Sequence, residues 1–126
     1  MSTPPTLLML NAFIGTGSYK KLYQEIGYTV VAEWSERKVI SLVRKNPPAV
    51  IVADFYHQSD FRDRLSNLES VLAAVQSAPN TRILVFYEPA HQAVLDTVRS
   101  RLRIDAALSL PVQEPLLRTT LQSWLA

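Results

Sequence analysis

The chain has 126 residues, enough for one domain with a real core, and 48% apolar against 19% charged residues is the balance of a soluble globular protein. It has no cysteine, which excludes disulfides, thiolate metal sites and cysteine nucleophiles, and two histidines, His57 and His91, leave little material for a zinc site. A formal charge of +2 gives no argument for nucleic acid, no apolar run is long enough to span a membrane, and residues 1–5 lack the basic start of a signal peptide, so the expectation is a single cytoplasmic domain over residues 1–126.

Taken in order, the chain alternates strand and helix. Residues 6–13 read as a first strand around Leu7, Leu8, Met9 and Leu10. Gly15-Thr16-Gly17-Ser18 follows as a loop with Ser18 as a candidate N-cap, then a helix over 19–26 closed by Gly27. A second strand is expected over 28–34, centred on Val30 and Val31. Ser35 then caps a helix over 36–45 with Val39, Ile40 and Val43 inward. Pro47 and Pro48 stop that helix and open the third strand, about 49–55, whose β-branched run suits a strand buried on both faces. It ends in the carboxylate Asp54, at the strand end outside which ligand sites of open parallel sheets collect.

The second half repeats the pattern. A longer helix is expected over 60–77 with Leu65, Leu68, Val71, Leu72 and Val75 on one side, and a fourth strand over 81–87. Pro89 opens a helix over about 91–102, a short fifth strand spans 106–110, and a last helix over 114–125 turns Leu116, Leu117, Leu121 and Trp124 inward. Five strands alternating with five helices imply a parallel sheet covered on both faces, an α/β three-layer sandwich. The size and right-handed crossovers fit the flavodoxin-like order 2-1-3-4-5. Trp34 and Trp124 read as core or edge packing rather than as binding anchors.

From Gly27-Tyr28-Thr29-Val30 through Pro47-Pro48-Ala49-Val50-Ile51-Val52-Ala53-Asp54, and again at Leu108-Ser109-Leu110-Pro111, the chain resembles the CheY-like receiver domain of two-component response regulators. That resemblance implies a domain that takes a phosphoryl group from a histidine kinase onto the aspartate at Asp54, and a cis bond before Pro111. It also implies partner groups that this chain lacks. The acidic pair that holds Mg²⁺ aligns with Asn11 and Ala12, the Thr or Ser of strand four with Tyr87, and the Lys of strand five with Leu110. The switch aromatic of strand five aligns with Ala107, which suggests that Tyr87 fills its space; the alternative is that Tyr87 points to solvent.

Mg²⁺ is held through one or two carboxylates with phosphate oxygens and waters, and phosphoryl transfer rests on neutralising charge. With Leu110 in the lysine position and Asp54 the only acid, the expectation is a pseudo-receiver: no enzyme, no cofactor, no bound Mg²⁺ or other metal, no small-molecule substrate, nucleic acid or membrane. Its partner would be a protein, whether kinase, output domain or second copy. Arg99 and Arg103, four apart near the end of helix four, are candidate docking residues; as plain helix-end cations they would instead oppose the dipole. Two other functions stay open. One is an unusual receiver that still accepts phosphate at Asp54. The other is a flavodoxin-like binder of nucleotide or flavin, suggested by Thr16-Gly17 in the loop after strand one.

Overall fold

The computed structural model describes residues 4–10, 19–55 and 68–125. Within them a five-stranded parallel sheet runs β1 (Thr6–Leu10), β2 (Thr29–Glu33), β3 (Val50–Phe55), β4 (Arg82–Tyr87) and β5 (Ala106–Ser109), in the spatial order β2-β1-β3-β4-β5. The helices are α1 (Lys20–Ile26), α2 (Glu36–Lys45), α3 (Glu69–Val75), α4 (Gln92–Arg99) and α5 (Glu114–Ser123). This is the expected flavodoxin-like architecture. Parts of the first strand and third helix expected at 11–13 and 60–67, and Ser18 with its loop, lie outside the described residues.

Alternation along the strands divides the core into two layers, because successive side chains leave a strand on opposite faces. Leu8, Leu10, Ile51, Ala53, Phe55, Ile83 and Val85 meet Val39 and Val43 of α2, Val71, Leu72 and Val75 of α3, and Leu95 and Val98 of α4. Leu7, Met9, Val50, Val52, Leu84, Phe86 and Leu108 meet Leu22 and Tyr23 of α1 and Leu117 and Leu121 of α5. All six residues of β3 are buried, as its apolar run predicts for the central strand. Each fully buried leucine or isoleucine contributes on the order of 1.5–3 kcal/mol relative to exposure.

Local chemistry explains most element ends. Ser35 Oγ accepts from the Lys38 N–H at 3.3 Å and starts α2, whose Glu36 and whose Arg44 and Lys45 sit at the ends that the helix dipole favours. Gly27 ends α1 at φ 126°, a conformation that costs any side-chain-bearing residue energy, while its N–H closes on the Tyr23 and Gln24 carbonyls. The Tyr28 hydroxyl, buried, donates to the Leu121 carbonyl at 2.8 Å and so ties the start of β2 to α5.

Three expectations need correction. Helix α4 starts after a 3-10 turn at Pro89–His91 and stops at Arg99, three residues short of the expected end, because the backbone turns at Ser100 and Arg101 to drop Ile104 into the core. Leu116 is half exposed: Leu117, Leu121 and Trp124 make the i, i+4, i+7 stripe, and Leu116 stands about 100° off it. Trp34 lies just past β2 with 62% of its surface exposed, so it is not a core residue.

Candidate functional site

Asp54 follows Val50 and Val52 by the strand alternation, so its side chain leaves β3 on the α1/α5 side. It lies opposite Phe86 in the β3–β4 register and is only 6% exposed. The neighbourhood is aromatic. The Tyr19 ring stands edge-on to Phe86, with centroids 6.1 Å apart at 69°, and 6.5 Å from the ring of Tyr23. Tyr23 is buried in the same layer, and its phenol is pushed well above the ordinary value of 10, first by burial, then by Tyr19, then by the Asp54 carboxylate. The carboxylate is therefore close enough for Tyr23 to feel its charge.

Leu110, just past β5, borders the same layer. Its N–H donates to the Tyr87 carbonyl at 2.8 Å, its side chain packs against the α1/α5 layer, and its bond to Pro111 is cis, as the resemblance implies. Hydrocarbon thus stands at the position to which the resemblance assigns an ammonium group.

Tyr87 leaves the sheet on the other face. It packs, half-buried, against the α2/α3/α4 layer, and so does Ala107. Ala107 pairs with Val85, two residues before Tyr87 on the same face, so the ring and the small residue are diagonal neighbours. The Tyr87 hydroxyl donates to Gln92 Oε1 at 2.7 Å, and Gln92 Nε2 donates to Asp96 Oδ1 at 2.9 Å. The end of β4 is fastened to the first turns of α4 through this relay.

The two candidate docking arginines do not share a helix face. Arg99 is the last residue of α4 and donates to the Ile104 carbonyl at 3.0 Å. Arg103 lies beyond the helix and its guanidinium is committed within the chain: to the carbonyls of Thr81, Val75 and Ala78 and to Asp105 Oδ2. Asp105 also accepts from the Ile83 N–H at 2.8 Å and pairs with Arg82 at 3.6 Å. This cluster sits at the end of the sheet opposite Asp54.

Asn11, Ala12, His57 and the Gly15–Ser18 loop lie outside the described residues. Among the described residues, no three of His, Cys, Asp and Glu gather as a metal-ligating group. Sequence reading missed the Tyr19–Tyr23–Phe86 cluster, although the i, i+4 spacing of Tyr19 and Tyr23 is visible in the chain. It also missed Gln92 and Asp96, whose role depends on which helix follows Tyr87 and how it is turned.

No family's sequence pattern matches this chain, and no curated protein matches it. Solved structures do. A response regulator receiver domain protein from Clostridium thermocellum superposes with a TM-score of 0.73 at 13% identity, covering 96% of this chain and 94% of that one. The receiver domain of Francisella response regulator 1452 gives 0.69 at 16% identity, covering 95% of each chain. The signal receiver domain of an HD domain-containing protein from Pseudomonas fluorescens Pf-5 gives 0.73 at 13% identity, covering 98% of this chain and 95% of that one. At such identities the likeness is one of fold, and it extends over nearly the whole length of both partners.

Proposed function

We propose that this receiver-fold domain signals by protein contact and does not depend on phosphorylation of Asp54. The observation that carries this reading is the company Asp54 keeps. The carboxylate is buried on the face that holds Tyr23, Phe86 and the Leu110 side chain, with Tyr19 over Phe86. A phosphoryl group there adds roughly two negative charges. Such charge needs a cation beside it, and Leu110 supplies none. The donor set is equally poor for Mg²⁺, which takes oxygen ligands in near-octahedral array; Asn11 and Ala12 stand where the resemblance puts an acidic pair. No step of the proposed function passes through the ion.

The second argument is the fastening of Tyr87. Its bond to Gln92 holds the end of β4 against α4 in one arrangement, and its ring lies on the face where Ala107 leaves room. The element that would report phosphorylation is thereby held by side chains of its own. The partner is then a protein, and the domain is a binding module rather than an enzyme. The HD domain-containing protein with the same fold illustrates that receivers are joined to varied outputs.

The test is direct. Acetyl phosphate, or beryllofluoride with Mg²⁺, is added to the chain and followed by intact mass and by amide NMR. The expected result is no adduct and no shift around residues 54, 87 and 110. An adduct that Asp54→Asn abolishes would restore the phospho-accepting reading, and a flavin spectrum in the purified protein would restore the cofactor reading.

A further inference from the structure

Strand β2 forms one edge of the sheet and pairs only with β1. The Thr29 N–H bonds the Pro5 carbonyl, so in this parallel ladder Thr29, Val31 and Glu33 turn their main-chain groups toward β1. Val30 and Ala32 therefore turn theirs outward, and no described residue pairs with them. Exposed edges are usually blunted by lysine, proline or a bulge. Residues 29–33 are Thr-Val-Val-Ala-Glu, with no lysine or proline, and the register runs without a bulge. Val31 and Ala32 are exposed, and Trp34 is the most exposed large apolar side chain described.

A groove of about 190 Å³ runs beside this edge, lined by Leu8, Val31, Leu42, Asn46, Pro47 and Pro48. Val31 is left partly uncovered there, and the exposed last turn of α2 carries Arg44 and Lys45. Lys38, in the first turn of α2, is exposed as well. In sequence α2 carries Arg37, Lys38, Arg44 and Lys45 against Glu36, and Glu33 at the end of β2 is already accepting the Trp34 and Ser35 N–H groups.

We infer that the β2 edge docks an extended segment of a partner protein that alternates apolar with acidic side chains, adding a sixth strand. The outward main-chain groups of Val30 and Ala32 give the hydrogen bonds, the groove beside Val31 takes an apolar side chain, and α2 attracts the acids. Charge decides the occupant. A second copy would bring its own basic α2 toward this one, whereas an acidic strand neutralises it. An apolar groove offers nothing to a nucleic-acid backbone. The inference rests on the contact reading but not on the loss of phosphorylation: an Asp54 adduct would leave it standing, and its own failure would leave the Asp54 result unchanged.

The experiment is selection of displayed random peptides of about ten residues, somewhat longer than a typical strand, on the intact chain. The expected winners alternate apolar residues with Asp or Glu, shift the amides of residues 30–34 in NMR spectra, and bind more weakly as salt rises. Ala32→Pro removes an outward N–H that the fold does not use and should weaken binding about tenfold, with the circular dichroism spectrum unchanged. Trp34→Ala, outside the strand, should also weaken it. Arg44→Glu with Lys45→Glu should weaken it and flatten the salt dependence, while Leu116→Ala on the opposite surface should not change it. Winners that are basic or helical in period, full affinity in Ala32→Pro and Trp34→Ala, equal competition by a polyuridine oligonucleotide, or self-association through β2 in sedimentation would each overturn the inference.

Discussion

The two ends of the sheet are built from opposite materials. At the end where the strands start, Arg103 gathers three carbonyls and a carboxylate, Asp105 takes the Ile83 N–H, and the Thr81 hydroxyl donates to the Pro48 carbonyl at 2.7 Å. At the end where they finish, Asp54 is buried on the face that carries Tyr23, Phe86 and Leu110. In a parallel α/β sheet the finishing end is where ligand sites collect, and the starting end is free to serve stability. In this chain the starting end is fastened by charge-assisted bonds.

The largest expected effect tests that division. Arg103→Met leaves the Val75, Ala78 and Thr81 carbonyls without their donor and Asp105 short of a cation. It should cost about 2–3 kcal/mol in urea unfolding, less than a fully buried cluster would because water reaches part of the guanidinium. Arg103→Lys should recover little, since a single ammonium cannot span the same acceptors. A loss under about 0.5 kcal/mol would break the comparison.

Tyr28→Phe comes next. It removes one buried hydrogen bond to Leu121 and should cost about 1 kcal/mol. The same residue sharpens the contrast through pH. Burial raises the phenols of Tyr23 and Tyr28, so above pH 10.0 the unfolded chain releases protons that the folded chain keeps. Stability should be level through neutral pH and fall as pH rises past about 10. In Tyr23→Phe that fall should be shallower, and an unchanged slope would show that Tyr23 is not the group responsible.

At the finishing end the effects should be small. Tyr87→Phe breaks an exposed bond to Gln92 and should change stability by no more than about 0.5 kcal/mol. Its readout is motion: relaxation dispersion at the start of α4 should increase, and unchanged dispersion would remove the fastening role. The smallest effect concerns the β2 edge. Glu33 accepts the Ser35 and Trp34 N–H groups, which hold its carboxyl below the usual carboxylate range, with Lys38 adding to the effect. A depressed group helps above its unfolded value and stops helping as pH falls through its folded one. Carboxyl NMR should therefore place its midpoint below the usual carboxylate range, and the Ser35 amide should move with it.

The strands, the two-layer core and the cap at Ser35 were legible because each depends on residues close in sequence, and the strand order followed from the crossover rule. β3 could be read from the five consecutive apolar residues Ala49 to Ala53, and α5 from Leu117, Leu121 and Trp124. Arg103 could not be read that way. Its acceptors at residues 75, 78 and 81 lie more than twenty positions away, and a helix pattern running to Leu102 hid the turn that delivers it. Trp34 stayed open between core and edge because apolar character says nothing about whether a strand has a neighbour on its outer side; its exposure removes the core alternative. Asp54 was legible as a position, while its aromatic surroundings needed the packing of α1 against β4.

Asp54 and Phe55 are adjacent in the chain, yet one enters the α1/α5 layer and the other the α2/α3/α4 layer. The sheet is thus a partition with the carboxylate on one side and Tyr87, Ala107 and α4 on the other. Backbone links join the two rooms at that end: the β3–β4 ladder, the β4–β5 ladder and the Leu110–Tyr87 bond are doors through which a disturbance beside Asp54 can reach α4.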